Sequence, residues 1–339
     1  MTSNGGMKKA LIITTSEYRL LEPLPFCKND GEKMFEVLVS LDYEISPNQK
    51  LVGKVRSQDM RKAIIDFFRN SNTHPEDTLL FYYSGHGLPD EYGDHYFAPY
   101  DIDPSEPDKD GFLFEDLTRL MNKSNSTKIV SILDCCYSGA AKIGKGNEED
   151  NANLGRIAIN KGSQKLKSGE GRCILASSQE YQKAYDTVER SQSLYTYYLL
   201  EGLRGNEKAV DNSGCITPDS LGKYVYNTMM SLPIEKRPHQ KPVKKAEESG
   251  DIILAYYPQF DTSLGKPTPF ARTENEINMK SERIDSQIHK AAHLNNLDEI
   301  VKSYFLEKNR RFDLVECAED LGLTVTKVRE IISRLGLVR

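Results

Sequence analysis

Apolar residues follow two rhythms along this chain. Short β-type runs are predicted at Lys8–Thr14, Lys50–Lys54, Thr78–Tyr83, Lys128–Leu133, Arg172–Ser177 and Asp251–Tyr256. Between them lie amphipathic stretches. Met34, Val37, Leu38 and Leu41 recur at helical spacing within Asp30–Leu41, and Met60, Ile64, Phe67 and Phe68 form a second stripe behind Ser57, read as an N-cap. Further helices are expected at Phe114–Met121, Ser193–Leu203 and Pro218–Ser231. Strands alternating with helices predict an α/β fold: a mostly parallel sheet flanked by helices on both faces.

Two stretches break the pattern. Ala140–Gly171 is rich in Gly, Asn, Lys and Glu without a sustained apolar period, and reads as a loop or disordered segment, long enough inside a domain to suggest a function. Pro258–Thr273, with Pro267 and Pro269, reads as a linker. The expected organisation is therefore a large domain over residues 7–258, a linker over 259–275 and a small helical module over 276–339.

The charge balance narrows the partners. With 45 basic and 50 acidic side chains the net charge is −5, which argues against a dedicated surface for nucleic acid or anionic lipid. Six irregularly placed cysteines, Cys135 and Cys136 adjacent, make neither a disulfide framework nor paired zinc hooks, and reduced thiols in the cytoplasm are the expectation. Ala10–Ile13 is too short for a secretory core, and no stretch approaches the roughly 20 apolar residues of a membrane span, so no membrane partner is expected.

The chemistry concentrates at two strand ends. Leu79–Tyr83 runs into Ser84-Gly85-His86-Gly87, where the glycines let the chain turn and leave the imidazole edge uncovered. Ile129–Leu133 runs into Asp134-Cys135-Cys136-Tyr137-Ser138-Gly139. In open parallel sheets ligands sit beyond the carboxyl ends of strands, so both motifs are delivered to one edge. A thiol needs such a neighbour: the imidazole takes its proton and later donates it to the leaving amine. The N–H groups of Gly87 and Cys136 are the candidate oxyanion donors.

These motifs resemble the caspase-like cysteine peptidase superfamily, with Cys136 standing 50 residues after His86. The caspase signature Q-A-C-x-G is absent. Asp134-Cys135-Cys136-Tyr137-Ser138-Gly139 instead matches the D-x-C-x-S-G of the metacaspase and prokaryotic branch, and Ala176–Glu180, Tyr195–Gly205 and the closing strand Gly250–Ala255 look like family stretches too. The resemblance implies a caspase-like sandwich and a cysteine endopeptidase acting on proteins or peptides, with His86 and Cys136 catalytic; the motif register makes Cys136 rather than Cys135 the nucleophile. It also implies an acidic pocket for a basic side chain, lined by Asp134 and, a few residues beyond the next strand, by Asp186. Two carboxylates suit an Arg guanidinium well, and Lys less so.

By the same resemblance Ala140–Gly171 stands where an activation linker would. It contains Lys142, Lys145, Arg156, Lys161, Lys165 and Lys167, so an enzyme cutting after basic residues, or an activating protease, has sites there; the alternative is an inert surface insertion. No cofactor is required. Calcium is suggested only by the acids Asp101, Asp103, Glu106, Asp108 and Asp110, and the EF-hand pattern fails because Glu106 fills the glycine slot and Phe112 the closing Glu position; a solvated acidic loop is the preferred account. His95 and His239 are read as surface histidines.

Phe312–Leu337 reads as helix, turn at Gly322, and helix, resembling a winged-helix or helix-turn-helix unit. From Val301 onward eight basic against six acidic residues give a net of +2, too little to predict strong phosphate binding, so a regulatory protein is at least as good a partner for the module as DNA. The competing reading of the whole is a pseudoenzyme or adaptor in which the first domain only scaffolds.

Overall fold

In the computed structural model, the residues described are 6–136, 171–177, 191–232, 242–247 and 252–262, with the side chains of Cys136 and residues 243–247 outside that description. Ten strands and six helices are found there: β1 Lys8–Thr15, α1 Pro25–Ser40, β2 Lys50–Gly53, α2 Ser57–Phe68, β3 Thr78–Pro89, β4 His95–Phe97, α3 Pro107–Asp110, β5 Phe112–Leu113, α4 Phe114–Lys123, β6 Lys128–Cys136, β7 Arg172–Ser177, α5 Leu194–Leu203, β8 Ser213–Ile216, α6 Pro218–Met230, β9 Val243–Glu247 and β10 Ala255–Asp261. The main sheet has the order β2-β1-β3-β6-β7-β9. All its neighbours run parallel except β9, which is antiparallel to β7. No helix among the described residues is long and apolar enough to cross a membrane.

Parallel central strands are buried on both faces, which is why they read as continuous apolar runs. Leu11, Ile13, Leu79, Phe81, Tyr83, Leu133 and Cys135 point into a core completed by Met60, Ile64, Phe67 and Phe68 of α2 and Leu117, Leu120 and Met121 of α4. On the other face α1 packs on β1, β2 and α5, and α5 packs on α6. The expected sandwich is therefore the observed one.

Several expectations need correction, among them the linker read from Pro258, since a strand runs from Ala255 to Asp261. The run Asp251–Tyr256 does not close the main sheet. That place belongs to β9, whose Val-Lys-Lys-Ala-Glu sequence suits a charged edge strand and hides its identity; β10 instead pairs antiparallel with β8. Ser57 is the first residue of α2 rather than its cap. The N-cap is Arg56, whose side chain makes no capping bond; Asp101 stands in from a distant loop, accepting from Ser57 N at 2.7 Å and Ser57 Oγ at 3.2 Å, so this member of the acidic cluster closes a helix end. His95 is not a surface residue, because β4 pairs with the far end of β3 and buries it.

That far end was unforeseen. β3 does not turn at Gly85 and Gly87 but continues to Pro89, and neither glycine has a positive φ. The extension is held down by aromatic packing: Phe97 of β4 sits 4.5 Å from Tyr83, 6.2 Å from Phe81, and 6.4 and 6.1 Å from Phe112 and Phe114, ring centre to ring centre. Replacing the fully buried Phe97 by alanine should lower unfolding stability by about 3–5 kcal/mol, read from the urea midpoint at constant slope.

Candidate active site

The register of the central ladder decides what stands beside His86. β3 and β6 pair in parallel from Thr78↔Lys128 to His86↔Cys136, every pair offset by the same 50 positions. The two strands lie about 4.8 Å apart, so the main chains at residues 86 and 136 are immediate neighbours at the carboxyl end of the sheet. Cys135 belongs to the apolar core on the α2–α4 face and is fully buried there.

His86 is buried and oriented on several sides. Its Nε2 lies 2.9 Å from the carbonyl oxygen of Glu22. A carbonyl only accepts, so Nε2 carries the proton and Nδ1 is the basic nitrogen. The imidazole packs against the Tyr18 ring at 4.7 Å with a 53° tilt. Its main-chain N–H donates to Tyr18 Oη at 2.8 Å, and its carbonyl accepts from Tyr83 Oη at 2.8 Å and from Ala98 N at 3.0 Å. The last bond makes Gly87–Phe97 a non-hydrogen-bonded pair of the antiparallel ribbon, which turns the Gly87 N–H away from β4. Gly85 is explained by closeness rather than by a turn: a Cβ there would stand 2.7 Å from Tyr83 Oη and 2.8 Å from Tyr18 Oη.

Asp134 sits on β6 next to Cys135 and is almost wholly buried. Its Oδ1 accepts from Ser177 Oγ at 2.8 Å, and its Oδ2 accepts from Thr196 Oγ1 at 2.7 Å and from Ser193 Oγ. Ser193 caps α5 by accepting from Thr196 N at 3.0 Å, and its own N–H donates to Asp30 Oδ1 at 3.1 Å. One serine thus joins two buried carboxylates. Burial pushes the carboxyls of both Asp30 and Asp134 above the ordinary range, and for Asp30 the neighbouring Asp134 charge adds to it. No ion pair to either acid is found among the described residues.

Sequence reasoning missed Asp30, although a signal was present. Cys27, Asp30, Met34, Val37 and Leu38 share the buried stripe of α1, so an acid occupies a place the helical period reserves for apolar residues. Asp186, the 140–170 segment, His239 and the module over 276–339 lie outside the described residues.

Comparison with known proteins identifies the family. Residues 7–246 match the family model Peptidase_C14, described as the caspase domain. The chain is also similar to Metacaspase-1 of Candida albicans (strain SC5314 / ATCC MYA-2876), 28% identical over 228 residues, covering 62% of this chain and 46% of the relative. The chain thus spans about half the length of that curated relative.

The acid pair predicts a sign for the pH dependence of stability. A carboxyl whose pKa is raised on folding keeps its proton where the unfolded chain has lost it, so its stabilising contribution is complete below the unfolded pKa and falls as pH rises through the folded one. Asp134→Asn removes one such group. As pH rises from about 4, the unfolded carboxyl range, wild-type stability should therefore decline relative to the variant, as urea midpoints would report; parallel curves would show that the acid is not shifted.

Proposed function

This chain belongs to the caspase-domain family, and from that premise we propose a cysteine endopeptidase in which Cys136 is the nucleophile, His86 its base, and a basic side chain the feature recognised before the cleaved bond. The observation that carries the chemistry is the ladder pair His86↔Cys136. Cys135, the competing thiol, is enclosed in the apolar core.

The steps follow from the tautomer. With Nε2–H held by the Glu22 carbonyl, Nδ1 withdraws the thiol proton and Cys136 Sγ attacks the peptide carbonyl carbon. The tetrahedral oxyanion is met by the N–H groups of Gly87 and Cys136, the first turned away from β4. The imidazolium returns its proton to the leaving amine and a thioester remains. Water, deprotonated by the same imidazole, then attacks the thioester, and its collapse releases the acid and restores Cys136.

Basic specificity is supported by the paired acids. Two buried carboxylates without a cationic neighbour among the described residues favour a guanidinium or ammonium, which would lower the pKa values that burial has raised. Asp134 and Asp30 are the acids we assign to this pocket, and Asp186 is a further acid for the same test. Cleavage of the 140–171 linker at its lysines or arginine is the activation step that follows from such specificity, by this enzyme or by a partner protease acting on it.

A fluorogenic peptide panel, run with and without calcium, decides these assignments. Arg- and Lys-ending substrates should be cleaved and Asp-ending ones not; the reverse preference refutes the pocket. Cys136→Ala should lose at least about 10³-fold in kcat/KM, whereas Cys135→Ala should keep most of it. Asp30→Asn and Asp134→Asn should each raise KM for Arg substrates by about tenfold or more, assayed at a pH where both variants are folded. Mass spectrometry should find the linker intact in Cys136→Ala if the enzyme cuts itself.

A further inference from the structure

We propose that Tyr18 is a positioning residue for the His86 base, supplying at the sheet edge the support that a neighbouring strand gives elsewhere. This rests on the assignment of His86 as base. β1 ends at Thr15, and its last pair with β3 is Thr14↔Ser84. Two residues later, at His86, β3 has lost that neighbour. The Tyr18 hydroxyl fills the gap: it accepts from His86 N at 2.8 Å and donates to Thr15 O at 2.9 Å, so one oxygen ties the end of β1 to the peptide of the base. Burial raises the Tyr18 hydroxyl well above its ordinary pKa, so it keeps the proton that the second bond needs.

The ring makes a second contact. At 4.7 Å and 53° it lies against the imidazole, and the loop that bears it continues to Glu22, whose carbonyl holds Nε2. The segment between β1 and α1 therefore holds the main chain, the ring face and one ring nitrogen of a single residue. The opposite side of the His86 peptide is held by Tyr83, and the two hydroxyls converge over Gly85, where no side chain fits. Rotation of the imidazole about its own bonds is thereby restricted to the orientation in which the Glu22 carbonyl holds Nε2. Proximity effects fall steeply with misplacement, and about 1 Å can cost about 10²-fold.

A merely packing role is the competing account, since Tyr18 also packs against Leu88, Ala98 and Ile102. Tyr18→Phe and Tyr18→Leu separate the two. The phenylalanine keeps the packing and the ring contact but loses both hydroxyl bonds; the leucine loses the ring as well. With an Arg-ending peptide, kcat should fall about tenfold in the first and about 10²-fold in the second, with KM unchanged within about twofold and the acid limb of the pH–rate profile displaced. Loss of thermal stability with unchanged kcat and pH profile overturns the proposal. Iodoacetamide alkylation of Cys136, followed against pH by mass spectrometry, provides a readout independent of turnover. Slower alkylation in both variants, even if wild type hydrolyses no peptide, supports Tyr18 while overturning the endopeptidase reading. Wild-type alkylation in both variants beside active wild-type enzyme sinks the Tyr18 proposal alone.

Discussion

The parallel ladder between β3 and β6 is the constraint from which the rest of the site follows. Nine consecutive pairs run at one offset, and those from Leu79↔Ile129 to Gly85↔Cys135 are buried, so sliding by one position would put Phe81 and Leu133 on the wrong face. The core therefore fixes the register, and the register fixes which residue stands beside His86. The separation of 50 between the histidine and the second cysteine is thus a physical length: the offset of the ladder itself, set by the crossover through β4, β5 and α4.

Alternation along β6 then divides the labour. Cys135 is committed to the apolar core with Leu133, whereas Asp134 turns to the face covered by α1 and α5, where hydroxyls of Ser177, Ser193 and Thr196 meet it. The same carboxylate serves the fold by reinforcing the cap of α5 and, in the proposed reading, serves substrate selection. Ser193 connects both uses because its side chain reaches Asp134 while its N–H reaches Asp30. Packing of α1 against the N-terminus of α5 and formation of the acid pair are therefore one event.

The extension of β3 past the end of β1 supplies the third ingredient. A strand without its neighbour presents unpaired main-chain groups. At His86 two tyrosine hydroxyls and the Ala98 N–H take them, and the aromatic cluster around Phe97 anchors the ribbon on which Ala98 lies. Burial of large aromatic rings thus bears directly on the orientation of one imidazole.

Much of this was legible in the chain. The buried runs Lys8–Thr15, Thr78–Tyr83 and Arg172–Ser177, the stripes of α2 and α4, and the two motifs around His86 and Cys136 are local patterns, since central strands and amphipathic helices display their burial in their own residues. β9 was not legible, because an edge strand is polar and its membership is conferred by β7. Nor was the course of the chain at Gly85: a glycine signals only that a side chain is excluded, and it took Tyr18, 67 positions earlier, to say what excludes it. Asp30 likewise reads as one polar residue on a helix until α5 brings Ser193 across to it. The sequence by itself determined which groups were available and which faces were apolar; the tertiary structure decided which of them meet, because register, strand ends and helix caps are properties of pairs of elements distant in the chain.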